Sequence, residues 1–201
     1  MLVQRDIEKI WGQYEKFLNA LEDENVNRLL EEQGQRIIEA SYSQREKEPF
    51  CGIGGVVDYS LKLMSNVKKL NDALGYQQST RDIISSSLLS SIGYIGNLKE
   101  DRFVMTTSEW HKEKLGQHFD WNESCTKYSV QDMSLWFLQH YNVRLDWNVW
   151  QAILLSKNVI SEESKFYANH KERLAILLST AREITLKNET DSINMVYSEP
   201  F

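Results

Sequence analysis

Only two of the 201 residues are prolines, and neither interrupts an apolar pattern that has the period of a helix. Pro49 lies between two such patterns, and Pro200 is next to the last residue. A proline inside a helix removes a backbone hydrogen bond and clashes with the preceding turn, so its absence allows every long pattern to form a continuous helix. The chain is therefore predicted to be an all-α protein.

Apolar side chains recur at three- and four-residue steps along most of the chain, and local start and stop signals divide this pattern into helices. Gly75 is placed to end one helix, and Ser79 with Asp82 to start the next. Residues 94–107 are expected to be irregular or to form a short hairpin, with strand character at 102–106. The predicted helices cover residues 4–21, 25–42, 56–74, 79–93, 108–115, 129–140, 146–156 and 170–187.

The same pattern divides the chain into three parts. Residues 1–45 are expected to form an N-terminal helical extension packed on the core, and residues 46–187 the main helical domain. Residues 188–201 lose the helical period and are predicted to form a C-terminal tail. A chain of this length is long enough for one well-packed domain.

Composition limits the classes of protein to which the chain can belong. The net charge of −6 argues against a surface that binds nucleic acid as a whole, because such binding needs clustered Lys and Arg. The first helix is charged and lacks the apolar core of a signal peptide, and no apolar run is long enough to span a bilayer. Cys51 and Cys125 are far apart and are expected to be reduced thiols. These features predict a soluble, cytoplasmic protein.

Two short segments resemble the signature stretches of a known enzyme family. Residues 54–61 read GGVVDYSL, and residues 88–96 read LLSSIGYIG. They are similar to the GG-x-x-D-H-S-L and L-L-H-D-I-G-K-x-G stretches of the HD-domain phosphohydrolases, and softer similarity extends over most of residues 50–185. The resemblance implies an orthogonal helical bundle of the HD-domain type with the N-terminal extension added to it.

The family's metal ligands are replaced in this chain. The resemblance places Tyr59 where the first metal-binding His belongs, and Ser90 and Ser91 where the His-Asp pair belongs. The softer alignments place Ser156 and Arg182 at two further ligand positions. We call these five the replaced positions. They imply a catalytically inactive member of the family with no metal and no other cofactor.

A physical reason exists for such losses to occur together. Without its metal, a buried imidazole or carboxylate lacks a partner and costs on the order of 1–3 kcal/mol. A serine hydroxyl is small and can bond to a carbonyl one turn earlier in its own helix. The serines in 85–91 therefore suit a tightly packed helix without a metal.

The segment 109–117 resembles a part of the family that borders the substrate cleft. One interpretation is a residual pocket for a phosphate or nucleotide, formed by Trp110, His111, Lys112 and Lys114. The alternative is a solvated helix in which Trp110 is the buried anchor.

Three tryptophans lie close together in the second half of the chain. Trp136, Trp147 and Trp150 form a candidate protein interface, since exposed aromatic rings are enriched at such surfaces. Helical spacing favours the alternative, in which these rings belong to the core.

The leading functional hypothesis is an inactive HD-like domain that acts as a regulatory or structural factor by binding a protein. Because the resemblance is to proteins common in bacterial and phage genomes, the expected setting is a bacterial cytoplasm, with the protein encoded by a phage. One alternative is binding of a nucleotide or nucleic acid in the former substrate cleft. Another is a residual metal-dependent phosphohydrolase with a site rebuilt from Asp58, His111, His118 and Asp120. The sequence leaves the oligomeric state open.

Overall fold

The computed structural model describes residues 6–157 and 170–198, which form eight α-helices, one short 3₁₀ helix and one two-stranded sheet. The predicted all-α class is confirmed at this level. In chain order the elements are α1 Ile7–Asn19, α2 Glu24–Glu39, α3 Gly55–Leu74, α4 Thr80–Leu89, the 3₁₀ helix Ile92–Ile95, β1 Phe103–Met105, α5 Glu109–Leu115, β2 Phe119–Trp121, α6 Val130–His140, α7 Trp147–Leu155 and α8 Arg173–Ser198.

Several helices begin or end at residues that satisfy their free backbone groups. The side chain of Ser79 accepts a hydrogen bond from the backbone N–H of Asp82 at 3.0 Å, as its predicted role at the start of α4 requires. Gly75 ends α3 in the left-handed conformation, with φ at 63°. Asp23 caps α2 by accepting from the N–H groups of Asn25 and Val26.

One apolar core joins the N-terminal helices to the rest of the protein. Tyr14 and Leu18 of α1 and Ile37 of α2 are buried in the same cluster as the apolar faces of α3, α4, α6, α7 and α8. The hydroxyl of Tyr14 donates to the carbonyl of Leu88 in α4 at 3.3 Å. These contacts place α1 and α2 inside the packing of the bundle.

The sheet pairs two segments that lie on either side of α5. β1 and β2 are antiparallel, with Phe103 opposite Trp121 and Met105 opposite Phe119. The strand character predicted for residues 102–106 is confirmed. The partner strand of β1 lies outside 94–107, because it follows α5. Within 94–107 the chain is mostly irregular, as one of the two alternatives predicted, with an isolated antiparallel bridge between Gly96 and Asp101 in place of an extended hairpin.

The last helix is longer than predicted. The prediction of a non-helical tail from residue 188 is wrong for residues 188–198, because α8 continues to Ser198. Polar contacts one turn apart support this part, including an ion pair between Lys187 and Asp191 and a hydrogen bond from Thr190 to the carbonyl of Leu186. Neither α8 nor any other helix in the described ranges is long and apolar enough to cross a membrane.

Close packing between the 3₁₀ helix and α6 depends on Gly93. A Cβ atom at this position would lie 2.2 Å from the carbonyl oxygen of Val130 and 2.9 Å from the backbone nitrogen of Ser134. The Ser134 hydroxyl accepts from the N–H of Gly93 in the 3₁₀ helix, and it lies 2.8 Å from the carbonyl oxygens of Ser90 and Val130, one of which accepts its proton. This contact therefore fixes the turn that contains two of the replaced positions.

We predict that Gly93→Ala lowers the free energy of unfolding by about 2 kcal/mol or more, because the added methyl group collides with the backbone of α6. Gly12→Ala is the matched control. A Cβ atom on Gly12, inside α1, meets nothing within 4 Å, so the substitution should raise stability by about 1 kcal/mol through helix propensity. Urea unfolding measures both changes, and equal effects of the two substitutions would contradict this account of the packing.

Candidate functional site

One arginine and three tyrosines that are distant in the sequence form a cluster in the bundle. Arg182 comes from α8, and Tyr59 comes from α3. Tyr94 belongs to the 3₁₀ helix, and Tyr42 belongs to the connection between α2 and α3. Arg182 Nη2 donates a hydrogen bond to the Tyr42 hydroxyl at 3.3 Å, and the guanidinium also interacts with the hydroxyls of Tyr59 and Tyr94. We call these four residues the tyrosine–arginine cluster.

The aromatic rings of the cluster pack directly against one another. The centroid of the Tyr42 ring lies 4.4 Å from that of Tyr94 and 4.5 Å from that of Tyr59. Phe50 packs edge-on against Tyr59, with the two ring centroids 5.4 Å apart. The position that the resemblance assigns to a metal-binding imidazole is therefore filled by a buried ring with rings on two sides.

The cluster holds one positive charge among neutral hydroxyls. Burial raises the pKa of Tyr42 and of Tyr59 above the ordinary value for a phenol, and the neighbouring tyrosines raise it further. Burial lowers the pKa of Arg182, but interactions with the phenol oxygens outweigh that effect and the pKa is raised. Within the described residues no carboxylate lies within ion-pair distance of this guanidinium.

A second group of polar side chains joins α3 to the turn after α4. The hydroxyls of Ser60 and Ser91 are in direct contact. Ser60 also donates to the carbonyl of Val56 at 2.6 Å, and Ser91 to the carbonyl of Leu88 at 3.1 Å. These bonds one turn back are the ones expected for serines in a packed helix. Ser87 is an exception, because its buried hydroxyl has no hydrogen-bond partner among the residues that the structure describes.

The structure brings some of the replaced positions together and leaves others apart. Tyr59 and Arg182 meet in the cluster, and Ser91 touches the residue that follows Tyr59. The hydroxyl of Ser90 donates to the carbonyl of Ser87 in its own helix. Ser156 donates to its own helix at the end of α7, and no hydrogen bond joins it to the other four positions in the described residues.

The residues at the replaced positions do not fit a divalent metal. Neutral phenols and serine hydroxyls are weak ligands, and the guanidinium of Arg182 would repel a cation. Over residues 6–157 and 170–198, no three His, Cys, Asp or Glu side chains are grouped to hold a metal ion. In the rebuilt site considered above, Asp58 pairs with Lys62, and His118 lies 3.4 Å from Glu46.

Helix α5 presents its aromatic residue to solvent. The side chain of Trp110 is 59% exposed, so the expectation that it is a buried anchor is wrong. Lys112 pairs with Glu109, and Lys114 is exposed. His111 Nδ1 is buried and has no hydrogen-bond partner within residues 6–157 and 170–198. The residual pocket proposed for these residues stays a prediction.

An aromatic groove lies between α6 and α7. Trp136 is 43% exposed and Trp147 is 64% exposed, whereas Trp150 is half-buried. The rings of Trp147 and Trp150 stack with their centroids 5.1 Å apart. The groove beside them has a volume of about 700 Å³ and is lined by Trp136, Trp150, apolar residues of both helices and the loop that joins them. We call it the α6–α7 groove.

Comparison with protein-family models, with curated proteins and with solved structures finds no match for this chain. The resemblance to the HD-domain phosphohydrolases therefore depends on the two motif-like segments and on the geometry that joins them.

The raised pKa of Tyr59 predicts how stability depends on pH. In the unfolded chain the phenol of Tyr59 ionises near pH 10, whereas in the folded protein the buried phenol stays neutral. The contribution of Tyr59 to the free energy of unfolding is therefore complete below pH 10 and is lost as the pH rises further. Between pH 10 and 11 the wild type should lose about 1 kcal/mol more stability than Tyr59→Phe, and the difference in slope should approach about 1.4 kcal/mol per pH unit above that range, where the unfolded phenol is fully ionised. Urea unfolding at several pH values measures both slopes, and parallel slopes would contradict the prediction.

Proposed function

We propose that this protein is a catalytically inactive HD-like domain that acts as a regulatory or structural factor by binding another protein through the α6–α7 groove. The observation that carries the proposal is the exposure of Trp136 and Trp147 beside a groove between two helices. Large exposed aromatic side chains beside a cleft are typical of the central residues of protein interfaces.

Two features support the HD-like part of the proposal. Ser60 of α3 contacts Ser91 after α4, so the two motif-like segments meet as the resemblance requires. Tyr59 and Arg182, assigned to ligand positions at opposite ends of the domain, also meet. Their chemistry excludes the metal that HD hydrolases use to activate water, which favours loss of catalysis with retention of the fold.

The groove suits an amphipathic helix of the partner protein. It runs between two helices and is lined by apolar residues such as Leu138 and Leu154, which matches the way an apolar helix face lies in a groove. Asp132 and Arg144 also line it, so the partner helix is expected to carry charges of both signs beside its apolar face. A second copy of this chain is the competing occupant.

Binding of a nucleotide in the former substrate cleft is less favoured. A nucleotide in that cleft would lie next to the position that the resemblance assigns to the metal. This position is filled by the rings of Tyr42 and Tyr59 and the guanidinium of Arg182. The proposed setting is a bacterial cytoplasm, with the protein encoded by a phage.

We predict that Trp147→Ala weakens partner binding by about 2 kcal/mol, because an exposed indole at an interface centre carries much of the binding energy. Trp110→Ala is the matched control, since it removes a similarly exposed indole from α5. The double substitution of Ser90 and Ser91 by Ala should leave binding nearly unchanged. The measurement compares the proteins that immobilised wild type and variants retain from host lysate, quantified by mass spectrometry, after circular dichroism shows that each variant is folded.

Two outcomes contradict this proposal. If the serine variant loses a partner that Trp147→Ala retains, the former cleft is the binding site. If the wild type forms a dimer that Trp147→Ala disrupts, as measured by light scattering at several concentrations, a second copy occupies the groove.

A further inference from the structure

Arg102 is held in an aromatic cage beside the sheet. Its guanidinium carbon lies 4.9 Å from the ring centroid of Tyr94, 5.1 Å from that of Phe103 and 5.3 Å from that of Trp121. Stacking of this kind covers the faces of the guanidinium and leaves its N–H groups to bond in the plane. The rings therefore orient Arg102 without satisfying its donors.

The donors in this cage lack acceptors. Nε and Nη1 of Arg102 are buried, and neither has a hydrogen-bond partner in the described part of the chain. The buried indole nitrogen of Trp121, in the same cage, also has no partner among the described residues. Buried polar groups in folded proteins are nearly always bonded, and an unbonded charged donor is among the most costly. Three adjacent donors without acceptors among residues 6–157 and 170–198 leave a place for an acceptor that a ligand would supply.

A cavity of about 300 Å³ adjoins Arg102. Its walls are largely apolar and aromatic, and they include Tyr94, Phe103 and Phe119. The other charged residues of its lining are Arg36, Glu39 and Asp101.

These other charges are already engaged. Arg36 pairs with Asp101 at 2.7 Å and bonds to backbone carbonyls, and Glu39 accepts from Gln35 at the exposed surface of α2. Among the described residues Arg36 and Asp101 therefore neutralise each other and Glu39 has a hydrogen-bond donor, whereas buried donors of Arg102 have no acceptor.

We propose that this cavity binds a small organic anion, whose carboxylate or phosphate group accepts hydrogen bonds from Arg102 while its flat apolar body packs against Phe103 and Phe119. Arginine is suited to planar oxyanions, and mostly apolar pockets with a few fixed polar groups are typical of small-molecule sites. The site is separate from the α6–α7 groove, so it does not depend on the proposed protein interface.

Isothermal titration of the full chain tests this proposal with four probes. Benzoate and phenyl phosphate carry the two anionic groups on the same ring, benzyl alcohol lacks the charge, and inorganic phosphate lacks the ring. At least one of benzoate and phenyl phosphate should bind the wild type, and it should bind more tightly than benzyl alcohol or inorganic phosphate. Arg102→Met keeps most of the side-chain volume and should weaken that binding by about tenfold or more, because a charge-assisted bond is lost. Arg45→Met, at an exposed arginine outside the cavity lining, should bind as the wild type does.

The proposal is overturned if neither aryl anion binds the wild type, since the cavity then holds solvent only. It is also overturned if inorganic phosphate binds as tightly as phenyl phosphate, or if folded Arg102→Met binds as the wild type does. If circular dichroism shows that Arg102→Met is unfolded, Arg102→Lys decides. The ammonium keeps the charge but not the planar donors, so affinity should fall several-fold, and an unchanged affinity would contradict the assigned role of Arg102.

Discussion

The positive charge of Arg182, held among three phenols, is the interaction around which the candidate site is arranged. Burying an unpaired charge is costly, and the three hydroxyls offset part of that cost by supplying oxygen atoms to the guanidinium. Each hydroxyl comes from a different segment: the connection before α3, α3 itself and the 3₁₀ helix. The charge therefore ties four parts of the chain together at the place where the resemblance predicts a metal-binding site. In this interpretation, the guanidinium of Arg182 occupies the position at which HD hydrolases bind an exchangeable metal ion.

Tyr94 connects the two unusual arginines of the structure. One of its neighbours is Tyr42 in the tyrosine–arginine cluster, at 4.4 Å between ring centroids, and another is the guanidinium of Arg102 beside the cavity. Arg182 has hydroxyl partners, whereas buried donors of Arg102 have none within the described residues. In this region, side chains fill the position that the resemblance assigns to a metal, which suits loss of catalysis. The cavity beside Arg102, proposed above as a site for an organic anion, adjoins it. The proposed protein interface lies elsewhere, between α6 and α7.

The features that could be predicted from the sequence are those that local interactions determine. The start of α4 was predictable because Ser79 bonds to an N–H three residues away, and the end of α3 because glycine adopts the left-handed conformation there. The pairing of β1 with β2 was missed because two three-residue strands separated by a helix carry too short a pattern to detect. Tyr42 and Arg102 were missed for a related reason. Tyr42 gains its role from a residue 140 positions away, and Arg102 from rings that only the fold brings together.

The most direct test of the central claim is a metal and activity measurement on one purified sample. The protein is incubated with Mn²⁺, freed of excess ion and analysed for bound metal, and phosphate release from nucleotides and phosphodiesters is then followed with and without Mn²⁺. We expect no stoichiometric ion and no manganese-dependent release, because a guanidinium and a neutral phenol stand at two of the positions that the resemblance assigns to metal ligands. One or two Mn, Fe or Zn ions per chain, together with manganese-dependent release of phosphate, would show that the protein is a metal-dependent phosphohydrolase and that Arg182 does not replace the metal.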